Sequence, residues 1–260
     1  MSNNEFLKLI KNQRNAKKTK KFSGTLLEYL SNLRDDPTIV KLAHRRLYDV
    51  INNKGCNVID IDDEGYRGIY NGDKIRTYDY FKDEFFGMEL VINKLMRFLK
   101  SAALKGEESR QVLLLMGPVG AGKSALIEYV KHALELAEPI YQLDGCPIKE
   151  EPLHLIPRSL RLQFEELLGV KIEGDLCPIC RHRLINDFNG EYEKFPVKQT
   201  SFSQRGRRGI AVVPPMDANS QDVSVLIGTE DISKLDLYPE DDPRVLSLNG
   251  AFNVGNRGIV

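Results

Sequence analysis

Residues 117 to 124 read Gly117-Pro118-Val119-Gly120-Ala121-Gly122-Lys123-Ser124, and their types and spacing suit one task, holding phosphate. They match the pattern G-x-x-x-x-G-K-[ST] at every fixed position. The glycines let the backbone turn tightly and bring its N–H groups against phosphate oxygens. A helix that opens at Lys123 would add its positive end. Lys123 is the candidate catalytic residue, reaching the β- and γ-phosphates, and the Ser124 hydroxyl is the candidate ligand for Mg²⁺. All eight residues are candidate nucleotide-binding residues. ATP or GTP binding is thereby expected, with the base and the coupled reaction left open.

A second group could bind metal. Cys177-Pro178-Ile179-Cys180 has the two-residue spacing of a zinc knuckle, and His182 follows. A structural Zn²⁺ site needs four ligands, and a second Cys-x-x-Cys is missing. Cys146, His154 and His182 are the residues that could complete a set. A turn with two unligated thiols ranks first, Zn²⁺ held by Cys177 and Cys180 second, and a redox pair third. Cys56 carries no signal.

The elements around the phosphate loop fit it. Gln111 to Met116 is a short apolar run of the kind that makes a buried parallel strand. After the loop, Leu126, Ile127, Val130 and Leu134 recur at helical spacing. Upstream, Gly24 to Asn32 reads as a short amphipathic helix. Asp36-Pro37 reads as a helix start, with the helix running to about Asn53 and stopping at Gly55. His44 on that helix reads as a surface or packing histidine. Residues 57–76 read as a loop or hairpin, and Phe81 to Leu104 as a helix. Pro139 to Leu143 reads as a strand, Leu160 to Leu168 as a helix, and Asp175 to Asp187 as the cysteine turn with a short helix. Residues 144–248 form a long elaboration with few strong elements, which is unusual unless functional.

Composition excludes several classes. Lys+Arg and Asp+Glu are equal at 37 each, so no global field calls for nucleic acid or an acidic membrane. The basic run Lys17, Lys18, Lys20 and Lys21, after Lys8, Lys11 and Arg14, therefore reads as a solvated helical lead-in. No apolar stretch approaches the ~20 residues of a membrane span. The N-terminus lacks the apolar core of a signal peptide, and four cysteines in 260 residues make no disulfide scaffold. A cytoplasmic protein is expected.

Several blocks resemble one family. These are Gly24-Thr25-Leu26-Leu27-Glu28-Tyr29-Leu30, Leu114 to Val119 with its Gly-Lys-Ser, Gly145-Cys146-Pro147 through His154-Leu155-Ile156-Pro157, Ile172 to Leu176, Ser220-Gln221-Asp222 and Asn256-Arg257-Gly258. They are similar to the PrkA family of serine protein kinases, whose N-terminal region is an AAA+ domain, over essentially the whole chain. The resemblance implies an α/β fold: a P-loop NTPase, AAA+-like, with a parallel sheet and helices on both faces. It implies an N-terminal helical region at 1–80 and a nucleotide-binding domain at 81–260 carrying the insertion at about 144–248. In such modules the segment before the first helix packs against adenine, which singles out Phe85, Phe86 and Gly87. Family members are much longer, and their Walker-B acids follow words like Gly255 to Val260. The expectation is thus a fragment or truncated product with an incomplete sheet, weak nucleotide binding and poor hydrolysis.

The implied function is an ATP-binding AAA+ module of a serine/threonine protein kinase, using Mg-ATP for phosphoryl transfer to a protein substrate. The full-length form is expected to be a homo-oligomer, with no membrane or nucleic-acid partner. No His-Arg-Asp or Asp-Phe-Gly word is present, so the kinase reading rests on the resemblance. An AAA+ ATPase coupled to remodelling or proteolysis is the alternative, favoured by Ile227-Gly228-Thr229 and the Gly250 to Val260 words. A nucleotide-binding module without turnover is a third reading. Arg205, Arg207 and Arg208 read as a solvated loop, with a trans-acting arginine or a phosphoserine-binding patch as the functional alternatives, and Arg257 is similarly ambiguous.

Overall fold

The computed structural model describes residues 6–8, 22–59, 75–213 and 222–260. The basic run from Lys11 to Lys21, most of the expected loop at 57–76, and Ser220-Gln221 lie outside the described residues. In chain order the elements begin with β1 (Ser23–Thr25), α1 (Leu26–Asp35), α2 (Ala43–Asn53), β2 (Cys56–Ile59), β3 (Ile75–Tyr78) and α3 (Glu89–Ala103). There follow α4 (Lys123–Glu135), β4 (Ile140–Leu143), α5 (Arg161–Leu168), α6 (Pro178–Asn186) and β5 (Pro196–Thr200). The last are α7 (Ser224–Ile227), β6 (Thr229–Glu230), β7 (Leu246–Ser247) and α8 (Ala251–Val254).

The chain forms two compact units that interleave along the sequence. One comprises the described residues within 1–39, 139–200 and 238–244, and the other those within 40–138, 201–237 and 245–260. In the first unit, β5 lies between β1 and β4, antiparallel to both, with Gly24 opposite Val197 and Leu143 opposite the same residue on the other edge. Leu26, Tyr29 and Leu33 of α1 are fully buried, as are Phe195, Ile140 and Leu143. Each such side chain contributes roughly 1.5–3 kcal/mol through burial. Thr25 and Glu28 form a capping box that starts α1. The Tyr29 hydroxyl donates to Glu151 Oε1 at 2.6 Å. Tyr29→Phe is expected to lower unfolding free energy by about 1.5–3 kcal/mol, because it deletes a bond to a carboxylate; an unchanged urea midpoint would contradict this.

In the second unit α2 packs on α3 and α4, with Leu47, Ile51, Ile92, Met96, Leu99, Leu126 and Leu134 buried. His44 of α2 sets its ring edge-on to Phe98, centroids 6.5 Å apart, so it packs. Burial holds its pKa below the ordinary 6.5. Below pH 6.5 the unfolded chain takes up a proton that the folded imidazole refuses, so stability falls as pH drops toward the lower folded value. The thermal midpoint should fall more steeply between about pH 7 and pH 5.5 for wild type than for His44→Gln. Parallel curves would show that His44 is not the titrating group.

Three expectations are corrected. The helix read over 37–53 is broken: a 3₁₀ turn spans Pro37–Val40, and α2 starts after an extended Leu42. Buried Arg46 stabilises the break by donating to the carbonyls of Lys41 (2.8 Å) and Glu138 (2.9 Å). The helix read from Phe81 begins only at Glu89, because Phe85 turns inward onto Phe81 and Tyr129 and Gly87 takes φ 72°. Most consequentially, the named strands among the described residues pair only antiparallel. The parallel pairing seen among them is an isolated bridge between Ile210 and Ile259. Gln111 to Met116 belongs to no strand; Val112 and Met116 are 93% and 85% exposed. An apolar run becomes a buried strand only when neighbours bond both its edges, and none of the named strands lies beside this one.

Candidate functional site

The phosphate loop leads into α4 as its residue types demand. Gly122, the residue before the helix, sits at φ 75°, in the left-handed region where a side chain strains the backbone. Gly120 does the same at φ 81°. A Cβ on Gly122 would lie 3.3 Å from Met88 Sδ, so the segment ahead of α3 abuts the loop. The first helical bond is Leu126 N–H to Gly122 O at 2.9 Å. The N–H groups of Lys123, Ser124 and Ala125 therefore have no acceptor within the helix, and the positive end of its dipole faces the loop.

The Lys123 ammonium curls back over the loop. It donates to the carbonyls of Gly117 (2.8 Å) and Pro118 (2.6 Å). Gly117 to Ala121 and Ser124 are exposed, and Lys123 and Gly122 are half-buried. Beside them runs a cleft of about 730 Å³ whose walls include His44, Phe98, Lys123, Ser124, Ile127 and Ile259. Exposed backbone donors, one ammonium and one hydroxyl are the donor set that a polyphosphate with Mg²⁺ requires, and these residues fit it. Of the segment picked out for adenine, Phe85 is buried in an aromatic cluster and Phe86 is 81% exposed.

Two of the three arginines are structural. Arg207 Nη2 donates to Asn249 O at 2.8 Å, and Arg208 Nε to Ser201 O at 2.9 Å, closing a turn. Arg205 is exposed. Arg257 takes φ 63° in the turn before Gly258.

The other unit holds a buried cluster that the sequence only half revealed. Cys177 is the N-cap of α6, and its Sγ accepts from Cys180 N–H at 3.3 Å. Cys146, from the turn after β4, places its Sγ 4.0 Å from that of Cys177. Glu150 joins them with Oε2 3.8 Å from Cys146 Sγ. All four residues are buried, and their ligand atoms lie within 4.8 Å of one another. Glu150 Oε1 accepts from Cys177 N–H at 2.7 Å and faces His154 Nδ1 at 3.1 Å. Hydrogen bonds from Cys177 and Cys180 pull the Cys146 thiol down. Sharing with Cys146 pushes both partners up, and burial pushes Glu150 up. His182 stands outside the cluster. Sequence reasoning missed Glu150; its signal was the four-residue spacing Cys146, Glu150, His154, which reads as a solvated charge until the turn is folded.

No helix among the described residues is long and apolar enough to cross a membrane. No solved structure matches the chain. Among curated proteins, it is 35% identical to the ATP-dependent protease PrkA of Bacillus subtilis (strain 168), over 98% of this chain and 40% of that protein. It is 32% identical to the serine/threonine kinase YeaG of Escherichia coli (strain K12), over 91% of this chain and 37% of that protein. The chain thus spans about 40% of the length of these relatives. The model of the PrkA AAA domain matches residues 24–260, and with the phosphate loop and its helix inside that span, the chain belongs to the PrkA AAA domain family.

Proposed function

We propose that the Gly117 to Ser124 loop binds Mg-ATP and that this chain is the ATP-handling module of a cytoplasmic serine/threonine protein kinase. The observation that carries the reading is the loop itself: left-handed Gly120 and Gly122, a helix opening at Lys123, and an ammonium already turned over the loop. The loop amides and the first turn of α4 hold the phosphate oxygens. Lys123 exchanges its two carbonyl partners for β- and γ-phosphate oxygens, which offer full charge in place of dipoles. It thereby stabilises charge as the γ-phosphoryl group moves to a protein hydroxyl. Mg²⁺, when bound, neutralises charge on the same group, and the Ser124 hydroxyl is the residue that would hold it. The exposure of Phe86, two residues from Met88, supports it as the ring that would stack on a base. The module is the nucleotide-binding domain of a homo-oligomer in the full-length form, with a protein as substrate. The name of the Escherichia coli relative supports the kinase assignment.

A second reading, ATP-driven proteolysis or remodelling, is favoured by the name of the Bacillus subtilis relative. One experiment tests both. The chain and Lys123→Ala are titrated with a fluorescent ATP analogue in Mg²⁺, while phosphate release, casein labelling and casein cleavage are followed in parallel. Stable phosphoserine on casein supports the kinase. Phosphate release with cleavage and no label supports the protease. Equal binding by both chains refutes the site.

A further inference from the structure

We propose that Cys146, Cys177, Cys180 and Glu150 form a structural Zn²⁺ site that joins the turn after β4 to the start of α6. The site stands apart from the nucleotide reading and does not depend on it.

Two local structures converge to build it. After β4 the chain turns and comes back, so that Leu143 N–H donates to Glu150 O at 3.1 Å and Cys146 N–H to Leu143 O at 3.2 Å. That closure sets Cys146 and Glu150 side by side. Thirty-one positions on in sequence, the N-cap and third residue of α6 present Cys177 and Cys180. Zinc bound at about 2.3 Å to sulfur and about 2.1 Å to oxygen spans a tetrahedron with S···S edges of about 3.8 Å and S···O edges of about 3.6 Å. The observed 4.0 Å between Cys146 and Cys177 and 3.8 Å between Cys146 and Glu150 match these edges. Four protein ligands leave no open position, which is the mark of a structural rather than a catalytic site.

The surroundings are those of a metal ligand set. Glu150 Oε1 is occupied by Cys177 N–H and faced by His154 Nδ1, which turns Oε2 toward the sulfurs. Ligating carboxylates are held in this way by outer partners. The Cys180 N–H aimed at Cys177 Sγ, with the positive end of α6, stabilises thiolate at the same place. A carboxylate that is 1% exposed among three buried sulfurs is costly by itself. A divalent cation removes that cost, and a thiolate-rich tetrahedral set with one carboxylate selects zinc over the hard cations. Binding displaces to solvent the protons still on the thiols.

The test is metal analysis of the 260-residue chain, purified in reducing buffer without chelator and offered zinc. About one tightly held zinc per chain is expected, with the three cluster thiols protected from a thiol reagent until the metal is removed. The unaltered chain reconstituted with Co²⁺ should show the visible bands and sulfur-to-metal charge transfer of a tetrahedral thiolate site. That measurement needs no variant to fold. Cys180→Ser should lose the zinc, and His154→Gln should keep the cobalt spectrum while weakening affinity about 10- to 100-fold. Zinc-free protein with reactive thiols, a cluster disulfide found by mass, iron in place of zinc, or an octahedral cobalt spectrum would each overturn the proposal.

Discussion

Lys123→Ala is expected to cut the affinity of the chain for a fluorescent ATP analogue in Mg²⁺ by at least about 10- to 100-fold. Each charge-assisted hydrogen bond is worth about 1.5–3 kcal/mol, and 1.4 kcal/mol is tenfold. The side chain reaches its partners from the first residue of α4, donating at 2.8 and 2.6 Å to Gly117 and Pro118 carbonyls. The alanine variant loses the charge that would be exchanged onto the phosphate oxygens. Lys123 is half-buried and outside the core, so the thermal midpoint should move little, and an unchanged circular dichroism spectrum separates a lost site from a lost fold. Where the wild type turns over ATP, kcat should fall about 10²- to 10³-fold, the usual effect of deleting one donor to developing charge. Lys123→Arg should recover only part of the binding, because a planar fork does not replace a compact ammonium at a phosphate. Undiminished binding by the alanine variant would remove the loop from the account.

Gly258→Ala is expected to destabilise the fold by about 4 kcal/mol or more, in the range reserved for steric conflict that cannot relax. A Cβ at this position would lie 1.7 Å from Gly209 O and 2.5 Å from Gly209 C, both backbone atoms. The two segments are tied there by Ile259 N–H to Gly209 O at 2.9 Å and Ala211 N–H to Ile259 O at 3.0 Å. Ile210 and Ile259 form the parallel bridge at the same point. The methyl group has to push two chains apart and break those bonds. Gly190 supplies the contrast. It takes φ 80°, but nothing lies within 4 Å of its Cβ, so Gly190→Ala should cost only the backbone strain, about 1–3 kcal/mol. Chemical denaturation of the two variants measures the difference. Equal losses would show that strain, and not the Gly209 contact, governs position 258. Ile259 also lines the cleft beside Lys123 and Ser124, so Gly258→Ala should weaken nucleotide binding as well.

Much of this protein was legible in residue order. The phosphate loop, the helix it opens, a short helix at α1, β4, and the short helices α5 and α6 were all expected close to where they stand. Their causes lie within a few residues: a glycine that admits positive φ, a cap that satisfies free N–H groups, apolar side chains every three or four positions. The Cys177 and Cys180 pair was visible for the same reason. What lay beyond reach depends on segments far apart in the chain. Whether Gln111 to Met116 is a strand depends on partners at its edges. The antiparallel placement of β5 between β1 and β4 joins residues near 24, 142 and 197. Arg46 stabilises a helix break by reaching a carbonyl 92 positions away. Local pattern determined which pieces form, and it named the family; long-range closure alone brought Cys146 and Glu150 to Cys177 and Cys180, because ligand geometry is a property of the turns that meet and of no single stretch that supplies them.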